Sequence, residues 1–149
     1  MTRKEKIHGH CLSLINDKIS LLQQVLADLK ESAGNETKST AGDKHETALA
    51  MLQIEQANTR GQLEDVLKKK ALLEKNNPVL SAGQIVKGSL VKTNRGYLYL
   101  SVALGKITID GIDAIALSPQ SPLGEKMMGV VVGDTVEMNG NFYVIEAIG

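Results

Sequence analysis

Apolar residues in the first part of the chain recur at intervals of three and four positions. This spacing predicts an amphipathic helix whose apolar stripe packs against a partner helix, as in a coiled coil. The charged residues Lys18, Asp28 and Glu31 fall outside the stripe. The pattern ends near Gly34, a residue type that suits the C-terminus of a helix. The predicted stripe consists of Leu12, Ile15, Ile19, Leu22, Leu26 and Leu29.

A second helical pattern runs from about Asp43 to Lys75, after a polar stretch over residues 35–42. Its middle is weaker, because polar residues occupy the stripe and Gly61 lowers the helix propensity. Two long helices joined by a short polar connection are expected to fold back into an antiparallel hairpin. The second stripe consists of Leu49, Leu52, Gln56, Thr59, Leu63, Val66, Lys70 and Leu73.

The second half of the chain alternates apolar and polar residues over short runs that end in turn residues. All three prolines and all four aromatic residues follow residue 77. Asn139 and Gly140 predict a two-residue hairpin turn, and Pro78 marks a boundary because proline does not continue a helix. The pattern predicts strands over residues 85–91, 97–102, 106–109, 112–117, 135–138 and 141–148, with one short helix over residues 122–128.

These patterns together predict an α+β fold with two domains. Residues 1–77 are expected to form an antiparallel α-helical coiled-coil hairpin. Residues 78–149 are expected to form a small antiparallel β-sheet domain with one short helix.

Composition excludes several classes of protein. A chain of 149 residues is too short for the large cofactor-binding folds. The 17 Lys and Arg residues balance the 17 Asp and Glu residues, which argues against gripping bare nucleic acid by counterion release. The single cysteine, Cys11, cannot form an internal disulfide, and this favours a reducing compartment. No apolar run is long enough to span a membrane, and the first residues lack the apolar core of a signal peptide. We therefore expect a cytoplasmic protein with no membrane partner.

A pair of acidic residues directly follows the expected connection between the two helices. Residues 42–46 are Gly-Asp-Lys-His-Glu, so Asp43 and Glu46 share one face at the start of a helix. Magnesium commonly takes one or two protein carboxylates and fills its other positions with water and phosphate. The same pair also forms a capping box, since Asp43 is a good N-cap and Glu46 occupies the third helical position. The spacing alone favours the capping interpretation.

A second distinctive segment lies in the predicted sheet domain, where residues 118–124 are Ser-Pro-Gln-Ser-Pro-Leu-Gly. Together the two segments resemble the bacterial transcript-cleavage (Gre) factors, with residues 42–46 similar to the family's acidic tip and residues 118–124 similar to its C-terminal signature. The order and length of the two domains match over almost the whole chain. The resemblance implies an FKBP-like fold for the second domain. Further matching positions are Gly88, Ser89, Gly129, Gly133 and Asp134.

The resemblance implies a transcription elongation factor that binds RNA polymerase and is not itself an enzyme. Its hairpin would enter the secondary channel, where Asp43 and Glu46 would assist the polymerase's active site in cleaving the transcript of a backtracked complex. These acids would share Mg²⁺ with the polymerase and would not hold it tightly alone. Such a factor is expected to be a monomer and to contact nascent RNA only indirectly. The residues near RNA would be Lys38, Lys44 and Arg60. The residues that dock on the polymerase would be Ser118, Pro119, Ser121, Pro122, Leu123 and Gly124.

Three alternatives remain open at the level of sequence. The family's tip continues with an Asn and a Glu-Tyr pair, whereas residues 47–50 here are Thr-Ala-Leu-Ala. A protein with an altered tip can occupy the same channel as an inhibitor without promoting cleavage. An FKBP-like domain also suggests a peptidyl-prolyl isomerase, which four aromatic residues and no tryptophan make a poor fit. The third alternative is a non-catalytic helical adaptor.

Two further groups of residues invite a chemical interpretation. His8, His10 and Cys11 lie close together, but they lack the fourth ligand and the spacing of a zinc site. We expect them to belong to a frayed, polar helix start. Tyr97 and Tyr99 share one face of a strand and are expected to pack there.

Overall fold

The computed structural model describes residues 2–37 and 43–149, and for residues 36, 37 and 43–45 it describes the backbone alone. The first helix, α1, spans Arg3–Thr37, and the second, α2, spans Asp43–Glu74. The chain divides into two compact units. The helical unit is Leu14–Lys68, and the sheet unit contains the beginning of α1 together with Lys69–Gly149. The predicted domain division at residues 77 and 78 stays a prediction.

The helical unit is a hairpin with a narrow buried seam. Ile15, Ile19 and Leu22 are buried on α1, and Gln56 and Thr59 are buried on α2. Every residue in the two predicted stripes is buried or half-buried. The charged residues outside the α1 stripe, Lys18, Asp28 and Glu31, are exposed. The predicted helical pattern is therefore confirmed.

The polar residues in the seam find partners within the helical unit. Gln56 Nε2 donates a hydrogen bond to the Leu29 carbonyl at 3.4 Å, and Thr59 Oγ1 donates to the Glu55 carbonyl at 2.8 Å. These bonds satisfy groups whose burial is otherwise unfavourable. The predicted end of α1 at Gly34 is wrong, because the helix continues through Gly34 to Thr37. A single glycine lowers helix propensity by only about 1 kcal/mol, which neighbouring turns can offset.

The sheet unit contains six strands and one short helix, as the predicted fold class requires. The strand order across the sheet is β3-β4-β2-β1-β6-β5. Neighbouring strands are antiparallel except for β2 and β4, which are parallel. The strands are β1 Leu90–Thr93, β2 Gly96–Leu100, β3 Gly105–Ile109, β4 Ile112–Leu117, β5 Thr135–Met138 and β6 Asn141–Ile148, and α3 is Pro122–Met127.

The first predicted strand, over residues 85–91, is mostly wrong. Only its last two residues belong to β1, because the chain turns before them. Gly88 has a φ of 88°, which a strand does not accommodate. The Ser89 hydroxyl holds this turn by accepting a hydrogen bond from Val86 N at 2.9 Å.

The turn between β5 and β6 agrees with the sequence. Asn139 and Gly140 have φ values of 53° and 79°, as a type I′ turn requires. Met138 pairs with Asn141 on either side of it. This hairpin is confirmed.

The core of the sheet unit lies between the sheet and α3. Met127 of α3 is fully buried, and Leu123 and Met128 pack against the same cluster. No helix in the described parts of the chain is both long and apolar enough to cross a membrane. The buried residues of this core are Ile85, Val91, Leu98, Leu100, Leu117, Met127, Val136 and Ile145.

Candidate functional site

The start of α2 presents one of the two predicted tip acids to solvent. Asp43 is the first residue of α2, and the side chain of Glu46 in the first turn is exposed. The side chains of Asp43 and Lys44, and all of Lys38, lie outside the described residues. The capping box and the pairing of the two carboxylates therefore stay predictions.

Arg60, the third residue predicted to approach RNA, does not lie beside Glu46. At 1.5 Å per residue it is about 21 Å further along the axis of α2. Its guanidinium Nη2 donates a hydrogen bond to Gln56 Oε1 at 3.3 Å. This contact holds the arginine against the polar part of the seam.

The segment over residues 118–124, called the loop over residues 118–124 below, consists of a turn built by two serines and the first three residues of α3. The Ser118 carbonyl accepts hydrogen bonds from Ser121 N at 3.0 Å and from Ser121 Oγ at 2.6 Å. Ser121 is also the N-cap of α3, where its Oγ accepts a hydrogen bond from Gly124 N at 3.1 Å. Pro122 follows at the first helical position, where its fixed φ suits a helix and its missing N–H costs nothing. The serines therefore fix the shape of the loop.

Gly124 is required by the close approach of the loop to α3. A Cβ atom at this position would lie 2.1 Å from the Ser118 carbonyl oxygen, so no other residue fits without a shift of the backbone. Leu123 packs on the core. Of the residues predicted to dock, Pro122 is exposed. Gln120, two positions earlier, is also exposed, although the prediction did not include it. These two form the outer surface of the loop.

The beginning of α1 is packed into the sheet unit, so the prediction of a frayed, polar helix start is wrong. Ile7 and Cys11 are completely buried, and His8 is nearly so. The His8 Nδ1 atom lies 2.7 Å from the Tyr99 hydroxyl on β2. Ile7 and Cys11 extend the stripe of Ile15 backwards in steps of four residues, a signal that would have placed them in a core.

Charged side chains also anchor the same helix start to the sheet unit. Lys4 Nζ donates a hydrogen bond to the Leu80 carbonyl at 2.6 Å, and Lys6 forms an ion pair of 3.3 Å with Asp110. The Arg3 guanidinium stands 5.0 Å from the centre of the Tyr97 ring. The first turns of α1 are thus tied to the sheet at several points.

Burial shifts the pKa values of His8, Cys11 and Tyr99. Desolvation lowers the pKa of His8, and the positive charge of Lys4 lowers it further. Desolvation raises the pKa of the Cys11 thiol to about 11 and raises the pKa of Tyr99 well above its ordinary range. A thiol that stays protonated is a poor nucleophile. Across the described residues, no three His, Cys, Asp or Glu side chains are grouped so as to hold a metal ion.

Neither a scan against protein-family models nor a search of curated proteins finds a match for the chain. Among solved structures, the chain is similar to the transcription factor Gfh1 at 15% identity, with 92% of each chain covered and a TM-score of 0.37. The function has to be argued from the residues of this chain.

Proposed function

We propose that this protein is a Gre-type transcription elongation factor, which binds RNA polymerase and stimulates the transcript cleavage of backtracked complexes. The observation that carries the proposal is the exposed carboxylate of Glu46 in the first turn of α2. It follows the connection between the helices of a hairpin whose seam is buried. Asp43, three positions earlier, begins the same helix, and residues with this spacing share a face.

The hairpin suits the delivery of these acids to a recessed site. From Glu46 to Lys68, the helical unit extends about 33 Å along α2. Its stripes are buried or half-buried along this length and most of its other residues are exposed, so it holds its shape without a further layer around it. Such a hairpin carries side chains far from the residues that anchor it.

The chemistry of the tip fits assistance to another enzyme. A carboxylate oxygen is a ligand that Mg²⁺ accepts, and Mg²⁺ sites at phosphates commonly use only one or two protein carboxylates. Asp43 and Glu46 would hold Mg²⁺ together with the polymerase, where the ion would polarise a phosphate oxygen and a water. Two carboxylates alone do not bind Mg²⁺ tightly, because the ion keeps most of its coordination positions for water and phosphate. The protein is therefore proposed as a stimulator of the polymerase's hydrolysis and not as an enzyme.

The loop over residues 118–124 is proposed as part of the docking surface. Its serines hold the backbone in place before a partner arrives, and a preorganised surface loses less conformational entropy on binding. Pro122 and Gln120 are exposed on it. We expect these two side chains to contact the polymerase directly, with Ser118, Ser121 and Gly124 maintaining the loop.

One feature of the tip favours a second candidate function. Residues 47–50 differ from the pattern of the family that the tip resembles, and Thr47 is exposed beside Glu46. A factor with such a tip would occupy the channel and inhibit transcription without promoting cleavage. The same assay separates the two functions.

The test compares Asp43→Asn and Glu46→Gln with the parental protein in a transcript-cleavage assay on stalled elongation complexes. Asparagine caps a helix about as well as aspartate, so these changes remove charge and keep the cap. We expect cleavage to fall by about tenfold or more while polymerase affinity and melting temperature stay at the parental values. Glu64→Gln, an exposed acid further along α2, is the matched control and should leave cleavage unchanged.

Three results would contradict parts of this proposal. Unimpaired cleavage by both tip variants would exclude the role of the acids. Binding without cleavage by the parental protein would support the inhibitor. No binding to polymerase by the parental protein would exclude both functions.

A further inference from the structure

A small pocket in the sheet unit lies directly beside the loop over residues 118–124. Its volume is about 80 Å³, and its walls include Lys87, Ser101, Ser118 and Pro119. We call it the Ser101 pocket. It is far smaller than the pockets of roughly 300–1,000 Å³ that hold drug-sized molecules. A single functional group of a larger partner fits this size better than a metabolite.

Ser101 gives the pocket an unpartnered buried polar group. The residue is only 7% exposed, and its hydroxyl has no hydrogen-bond partner among the residues that the structure describes. Its backbone N–H is occupied, since it donates to the carbonyls of Tyr99 and Leu117 at 3.0 and 2.9 Å. Nearly all buried polar groups in proteins are hydrogen-bonded. The Ser101 hydroxyl therefore has hydrogen-bonding capacity that no described residue uses.

Ser118 and Lys87 supply further donors to the pocket, while the amides of Asn76 and Gln120, which also line it, can donate or accept. Ser118 Oγ accepts a hydrogen bond from Gln120 N at 3.1 Å, which leaves its own O–H to donate. Lys87 is exposed, and no carboxylate within the described ranges forms an ion pair with it. The walls contain no Asp or Glu. One unpaired cation, two hydroxyl donors and no acid favour an anionic group.

We propose that the Ser101 pocket binds one carboxylate side chain, an Asp or Glu, of RNA polymerase when the loop over residues 118–124 docks. Lys87 supplies the counter-charge, the Ser101 hydroxyl donates a hydrogen bond to the carboxylate, and Pro119 forms an apolar wall. The polymerase is the source because the pocket shares Ser118 and Pro119 with the loop, so this inference rests on the proposed function. Hydrogen bonds in which one partner is charged are the strong ones.

The test measures the affinity of the full chain for RNA polymerase. Lys87→Glu places a negative charge at the pocket and should weaken binding about tenfold or more. Lys87→Arg keeps the charge and should bind nearly as the parental chain does. Lys92→Glu, the same charge change at an exposed position of β1, is the matched control and should alter the affinity by less than about threefold.

Ser101→Ala separates binding from folding. If the hydroxyl serves only the entering carboxylate, this variant should bind several-fold more weakly while its melting temperature stays the same or rises, because an unpaired buried group is removed. A melting temperature well below the parental one would indicate a structural hydroxyl and contradict the proposal. Equal affinities for the parental, Lys87→Glu and Ser101→Ala proteins would overturn it.

A carbodiimide, which joins a lysine amine to a carboxylate in contact with it, identifies the partner group. We expect Lys87 to be linked to an Asp or Glu of the polymerase. The proposal would be overturned if the parental complex formed without this cross-link and the polymerase bound the Lys87→Glu variant at the parental affinity.

A separate measurement distinguishes failure of the pocket from failure of the proposed function. Acetate, titrated against chloride at equal ionic strength, should shift the backbone amide resonances of Ser101 and Gln120 in the parental chain but not in Lys87→Glu. No such shift, or stronger binding of inorganic phosphate than of acetate, would overturn the carboxylate site. If acetate shifts these resonances but the parental chain does not bind polymerase, the proposed function and the polymerase as source of the carboxylate are both wrong.

Discussion

Residues 3–13 and residues 14–37 form one continuous helix, yet they contribute to different compact units. The first stretch buries Ile7, His8 and Cys11 in the sheet unit, where His8 meets Tyr99 of β2. The second stretch buries Ile15, Ile19 and Leu22 in the seam of the hairpin. One helical pattern thus continues through two different cores.

The two stretches differ in what holds them. The beginning of α1 is fixed by residues distant in sequence, through a buried hydrogen bond, an ion pair and a ring contact. The later stretch depends on apolar packing at regular intervals. Regular intervals are visible in a sequence, but distant partners are not. This is why the seam was predicted and the packing of His8 was not.

The largest expected effects come from deleting one buried side chain in each stretch. Ile7→Ala and Leu22→Ala should each cost about 2–5 kcal/mol of the free energy of unfolding. All three tyrosines lie in the sheet unit, so Ile7→Ala should lower the midpoint of the near-ultraviolet circular dichroism signal in a denaturant titration. Leu22→Ala should instead lower the midpoint of the helical signal at 222 nm.

Two surface changes control for this comparison. Leu21 is 57% exposed, and Lys18 lies outside the stripe, so Leu21→Ala and Lys18→Ala should each change stability by less than about 0.5 kcal/mol. Equal losses of stability in Leu22→Ala and Lys18→Ala would contradict the buried seam of the hairpin. Identical shifts of both signals in every variant would show that the two units unfold together.

The second prediction uses the thiol of Cys11 as a reporter of the sheet unit. The thiol is buried and its pKa is raised to about 11, so a thiol reagent at pH 8 should react only when the unit opens. Ile7→Ala should speed this reaction about thirtyfold or more, as the loss of a buried isoleucine implies. Leu22→Ala should leave the rate nearly unchanged. A fast reaction in the folded parental protein would contradict the packing of the helix start.

Most of the correctly predicted parts of the fold follow from local sequence patterns. The stripes of the hairpin, the Asn139-Gly140 turn and the strands around it follow from spacing and turn chemistry alone. The prediction of a strand over residues 85–91 was wrong because the apolar residues at both ends of this segment favour a strand, whereas the positive φ of Gly88 depends on a turn fixed by Ser89. The parallel pairing of β2 with β4 was not predicted either, because it depends on which strands become neighbours in the folded sheet.

The features of the candidate site likewise divide into those that residue types predict and those that depend on the folded structure. Ser121 as an N-cap and Pro122 after it follow from residue types. The need for glycine at position 124 depends on the approach of the Ser118 carbonyl. The Ser101 pocket could not be predicted, because Lys87 and Ser101 reach the loop only through the folded sheet unit.

The smallest expected effect concerns the pH dependence of the sheet unit. Desolvation and the charge of Lys4 lower the pKa of His8 in the folded protein below its unfolded value of 6.5. The unfolded chain therefore binds the proton more readily as the pH falls below about 6.5, and stability decreases over this interval. Above it His8 is neutral in both states and its contribution to stability is fully present. The near-ultraviolet melting temperature should therefore be lower at pH 5.5 than at pH 7.5.

Replacing the imidazole sharpens this prediction. His8→Gln keeps a polar group near the Tyr99 hydroxyl but does not titrate, so its melting temperature should depend less on pH than that of the parental protein. His10→Gln, at a half-buried position two residues further on, should retain the parental dependence. The helical signal of the hairpin should show no corresponding change in any of the three proteins, because His8 belongs to the sheet unit. A parental pH dependence that persists in His8→Gln would assign the effect to other groups and leave the His8–Tyr99 contact with no part in it.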